Sequence, residues 1–114
     1  MKKIIVIGLL AAALGYQSSV IASNDSKLDA IADIGELNGI ALQCRYVEQM
    51  QRIKRALVVN LPKKRELGSW FEEKTNNSFM DFMAKGSSCP EQAIFETQVG
   101  IAIERIEMEF KVEK

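Results

Sequence analysis

The chain has 114 residues, with 15 basic and 15 acidic side chains, two cysteines and no histidine, and 47% of it is hydrophobic. That is one small domain, too apolar to be a disordered chain and too short for a two-domain cofactor enzyme. The absence of histidine removes histidine triads, imidazole metal ligands and the usual proton switch near neutral pH.

Lys2 and Lys3 precede an apolar run of 12 residues, Ile4 to Gly15, which is followed by Gln17-Ser18-Ser19 and then Val20-Ile21-Ala22. This is the pattern of a secretory signal peptide cleaved after Ala22, and the run is well short of the roughly 20 residues that cross a bilayer. The expected organisation is a leader (residues 1–22) and one mature domain (residues 23–114), periplasmic or secreted, with no stable membrane anchor after cleavage. The mature part carries 13 basic and 15 acidic groups, a net charge of −2. The charge is polarised: residues 23–65 hold 8 bases and 5 acids, whereas residues 66–114 hold 5 bases and 10 acids.

Three long apolar-periodic segments follow, without sustained period-2 alternation, so the chain reads as all-α, a small bundle of three or four helices. The first segment runs from about Ser26 to Val59. Its apolar stripe is Leu28, Ile31, Ile34, Leu37, Ala41, Cys44, Val47, Met50, Ile53 and Leu57, in steps of three and four. Gly35 and Gly39 interrupt it and mark either a kink or a place where another helix approaches closely. Asn60-Leu61-Pro62 ends the segment, because proline breaks the hydrogen-bond ladder and suits the first turn of a new helix.

The second segment starts near Pro62 and carries Leu67, Trp70, Phe71, Phe79, Phe82 and Met83, with a polar patch at Thr75-Asn76-Asn77-Ser78 at which it can divide. Gly86 fits the left-handed position that closes a helix. Ser88-Cys89-Pro90-Glu91 then matches a capping box, Ser88 as N-cap and Glu91 reaching back to its amide. The third helix presents Phe95, Val99, Ala102, Ile103, Ile106 and Phe110 on one face, which Ile94, Ile101 and Met108 widen.

Cys44 and Cys89 are spaced like neither a CxxC redox pair nor a zinc knuckle. In an oxidising compartment they read as one structural disulfide, pinning the start of the last helix to the waist of the first; an intermolecular bridge and free thiols are the alternatives.

Three constellations bear on function. From Arg52 to Arg65 the chain holds Arg52, Lys54, Arg55, Lys63, Lys64 and Arg65 without an acid. Lys63, Lys64 and Arg65 are candidate partner-binding residues; the alternative is a solvated face, or pairing with Glu104, Glu107 and Glu109 of the last helix. In Phe79-Met80-Asp81-Phe82-Met83, thioethers and aromatics suit an adaptable grip on a partner, and equally suit a core. Here Phe79, Phe82 and Met83 are expected inside, with Met80 the exposed candidate. Glu104, Glu107, Asp81 and Glu91 are conceivable acid/base pairs for a small carboxylate-based hydrolase, though no cleft is legible around them.

The chain lacks GxSxG, HExxH, P-loop and dinucleotide motifs. The plan of leader, helical domain and one disulfide is similar to that of several groups of small periplasmic proteins, including acid-stress chaperones and immunity proteins, and at this level it implies no site residue. The expectation is a non-catalytic protein-binding module (inhibitor, immunity or adaptor type) with a protein partner and room for a homodimer, no nucleic acid, no cofactor and no metal. A periplasmic holdase-type stress chaperone is the alternative.

Overall fold

A computed structural model describes residues 15–111, with side chains from Asp25 on. Lys2, Lys3 and nearly all of the expected leader's apolar run lie outside the described residues. The described residues form four helices and no strand: α1 (Gly15–Cys44), α2 (Val47–Asn60), α3 (Arg65–Lys85) and α4 (Gln92–Phe110). Cys44 and Cys89 form the one disulfide of the structure, at a Cα–Cα distance of 5.8 Å.

The helices alternate in direction. Along α4, Glu109 accepts from Ser26 Oγ, Arg105 pairs with Asp33, and Cys89 joins Cys44, so α4 runs antiparallel to α1. Along α3, Trp70 Nε1 donates to the Leu28 carbonyl, Ser78 Oγ to that of Glu36, and Gln43 Nε2 to that of Phe79, so α3 runs parallel to α1. The core is built by three of the four helices. Ala30, Ile31, Ile34 and Ala41 of α1, Ile53 of α2, and Phe95, Val99, Ile106 and Phe110 of α4 are buried together, and α3 contributes no fully buried apolar side chain.

The first apolar segment is two helices, and the break differs from the one the glycines mark. Helix α1 continues through Gly35 and Gly39 and ends at Cys44, where Arg45 turns left-handed (φ 60°). The Arg45 amide donates to the Leu42 carbonyl and the Tyr46 amide to that of Ala41, the two bonds of a Schellman closure. Cys44 is therefore at the end of α1 and not at its waist, and the disulfide ties two chain reversals together at one end of the bundle.

Gly35 and Gly39 are where α3 seats on α1. A Cβ at Gly39 would lie 2.6 Å from the Thr75 carbonyl oxygen, 2.7 Å from Ser78 Cβ and 2.8 Å from the Phe79 nitrogen; one at Gly35 would lie 2.9 Å from Lys74 Cβ. The contact is backbone to backbone, with the buried Asn38 Nδ2 donating to Thr75 Oγ1 at 3.3 Å. So close an approach fits the small Thr75 being the one buried residue of α3, which runs unbroken through the polar patch at Thr75–Ser78. It also corrects the expected interior placement of the aromatic-thioether cluster: Phe79 and Phe82 are half-buried at the seam's margins, whereas Met83 joins Met80 in solvent. Gly39→Ala is expected to destabilise the fold by about 1–3 kcal/mol in chemical denaturation, because the overlap with α3 backbone outweighs the better helix propensity of alanine.

Of the next two boundaries, one matches the sequence expectation and one departs from it. Gly86 closes α3 as expected, left-handed, its amide donating to Met83 and that of Ser87 to Phe82. The capping box, however, does not form: α4 starts at Gln92 with Glu91 as N-cap, and no side chain caps it. Pro90 disfavours helical geometry at Cys89, Cys89 is held by the disulfide, and the Pro90 carbonyl accepts a hydrogen bond from the Tyr46 hydroxyl at 2.6 Å. The chain thus enters α4 three residues later than Ser88 allows. Ile94, Ile101 and Met108 do not widen the buried face; they are 55–72% exposed along the outer edge of α4.

Candidate functional site

Helices α2 and α3 meet through the short turn Leu61–Lys64. Leu61 closes α2, its amide donating to the Leu57 carbonyl, and α3 begins only at Arg65. From this turn α2 packs against α1 and α4, while α3 crosses to the glycine seam of α1. The two helices diverge and leave an open groove of about 430 Å³. It lies at the opposite end of α2 from the disulfide, about 20 Å along a helix of 14 residues.

The floor of the groove is Leu57, Leu61, Leu67 and Phe71, all half-buried, with Pro62 and Gly68 in its walls. Val58 lies on its edge, 70% exposed, and the adjacent Val59 is 61% exposed. Lys54, Lys63 and Lys64 line the rim, and the only acidic lining residue is Glu72. Among the described residues no carboxylate comes within ion-pair distance of Lys54, Arg55, Lys63, Lys64 or Arg65. The pairing with Glu104, Glu107 and Glu109 considered from the sequence does not occur. Arg52 alone of the basic stretch turns inward, donating to Gln49 Oε1 and to the Glu96 carbonyl, while Glu109 accepts from Ser26.

Of the candidate residues, Lys63 and Lys64 meet at this groove. Arg65, the first residue of α3, lies just beyond it, in a shallow depression with Glu66, Ser69, Trp70 and Glu73. Met80 is exposed, as expected, but lies further along α3 and outside the groove. Sequence reasoning missed Leu57, Leu61, Leu67, Gly68 and Phe71 as site residues. Their three- and four-residue spacing is what a core stripe would show, and only the divergence of the helices turns them into a floor.

The four acidic candidates are spread over α3, α4 and the N-cap position of α4. Glu104 and Glu107 are exposed on α4, Glu91 is the N-cap of α4, and Asp81 lies in an open valley between α1 and α3 with Asp33, Glu36, Lys74 and Lys85. Among the described residues no group of three or more acidic or cysteine side chains is arranged to hold a metal ion, and no helix is long and apolar enough to cross a membrane.

Fold and site together describe a single-disulfide bundle of four helices with a cationic, apolar-floored groove at one end. Comparisons with protein families, with curated proteins and with solved structures give no match.

Proposed function

We propose that the protein is an exported, non-catalytic binding module of the cell envelope that holds a protein partner at the groove between α2 and α3. The observation carrying this reading is the unpaired cationic rim, Lys54, Lys63 and Lys64, around a concave apolar floor. Apolar side chains on a groove floor supply burial on association, while unpaired rim charges steer encounter and select the partner's sign. The leader pattern of residues 1–22 and the disulfide support an oxidising, extracytoplasmic site of action.

Reversing three charges together (Lys63→Glu, Lys64→Glu and Arg65→Glu) leaves the helical signal intact, because all three side chains are exposed. It lowers capture of the partner from envelope extracts by roughly tenfold or more at moderate salt. Unchanged capture, with unchanged salt dependence, would remove the groove from the account.

A holdase-type chaperone is the second reading, favoured by the exposure of Met80 (61%) and Met83 (56%) on the outer face of α3. The same capture experiment separates the two: a dedicated module retains one stoichiometric protein, a holdase many.

A further inference from the structure

We infer that the groove's occupant is an acidic amphipathic helix of the partner, crossing α3 at Gly68; this rests on the proposal that the groove holds a protein. Three features of the groove carry the inference.

The first is shape. The groove is flanked by two helices whose lining positions recur at helical spacing, Lys54, Leu57, Val58 and Leu61 on one side and Leu67, Gly68, Phe71 and Glu72 on the other. Two diverging helices with an apolar floor between them can accept a third helix by ridges-into-grooves packing. The second is charge. Three unpaired lysines against one carboxylate select an occupant whose flanks are acidic, and Lys63 and Lys64 at the turn are placed to meet one end of it.

The third is Gly68, which the fold itself does not use. A glycine inside a helix weakens it relative to alanine. Gly35 and Gly39 do so where α3 occupies the space a Cβ would need, but nothing lies within 4 Å of a Cβ built at Gly68. It is the fourth residue of α3, exposed, in the wall of the groove. An unfilled glycine there lets a foreign helix approach α3 more closely than any larger side chain would. A flat bilayer would gain nothing from this notch.

The test uses the mature chain and a synthetic amphipathic peptide of about 18 residues, long enough to be helical in water, with leucines on one face and glutamates on the other. Amide shifts in nuclear magnetic resonance report binding. The glutamate peptide is expected to shift the signals of Leu57 to Phe71, and a lysine-for-glutamate peptide to bind at least about tenfold more weakly. Gly68→Ala is expected to raise the melting temperature by about 4 °C, and Gly68→Leu to keep the fold while weakening the glutamate peptide at least about tenfold. Equal binding of both peptides, an unchanged affinity of Gly68→Leu, or shifts produced by phosphatidylglycerol vesicles and not by the peptide would each overturn the inference. If charge reversal abolishes capture of the natural partner but Gly68→Leu does not, the helical occupant fails and the protein-binding reading stands. If no stoichiometric partner is captured at all, that reading fails whatever the peptides do.

Discussion

Replacing Cys44 and Cys89 together by alanine is expected to lower the stability of the helical bundle by about 4 kcal/mol, the chain-entropy value for a loop of this length. The two cysteines are 45 residues apart in sequence, and the bridge encloses all of α2 and α3. Losing it frees the unfolded chain more than the folded one, whose corner is also held by the Tyr46 hydroxyl on the Pro90 carbonyl. Against the 5–15 kcal/mol typical of small domains, the loss is a large fraction of the total. The check is urea denaturation followed by circular dichroism: the midpoint should fall steeply in the double variant, and in the wild type only once a reductant is present. An unchanged midpoint on reduction would show that the corner is held without the bridge.

Phe95→Ala is expected to cost about 3–5 kcal/mol, the range for truncating a fully buried phenylalanine. Phe95 has no exposed surface, stands in the first turn of α4 and packs on the Tyr46 ring with centroids 5.4 Å apart. Its removal opens a cavity where the end of α1, the start of α2 and the start of α4 converge, and it leaves Tyr46 without its aromatic neighbour. Because Phe95 and the disulfide brace one corner, the losses should not add. A triple variant, Cys44→Ala, Cys89→Ala and Phe95→Ala, should differ from the sum of the separate losses by more than about 0.5 kcal/mol. A small loss for Phe95→Ala alone would mean that the corner collapses onto the cavity without penalty.

Much of this architecture was legible in the residues. The stripe of Leu28, Ile31, Ile34 and Ala41, the stop at Asn60-Leu61-Pro62 and the left-handed Gly86 each follow from local chemistry, and the cysteine pair from its isolation. What escaped was set by tertiary packing. Arg45 takes a conformation that glycine usually fills, so nothing local marks the end of α1; just beyond the turn Tyr46 packs on Phe95 and donates to the Pro90 carbonyl, contacts visible only in the folded chain. On α4, Ile94, Ile101 and Met108 are as apolar as Phe95, Val99 and Ile106, and only the position of α1 and α2 decides which set is covered. The three glycines Gly35, Gly39 and Gly68 are indistinguishable by propensity, yet two seat a helix of the same chain and the third faces open space.

The candidate site was half visible for the same reason. The acid-free basic stretch drew attention to Lys63 and Lys64, since charge runs survive without knowledge of packing. The apolar floor did not, because Leu57, Leu61, Leu67 and Phe71 look like core until α2 and α3 are seen to diverge.

The most direct test places a photo-activatable side chain at Val58, on the edge of the groove, and separately at Met108, on the outer face of α4. One discrete crosslinked product is expected from Val58, abolished when Lys63 and Lys64 are reversed to glutamate, and none of that product from Met108. A product from Met108 with none from Val58 would contradict binding at the groove.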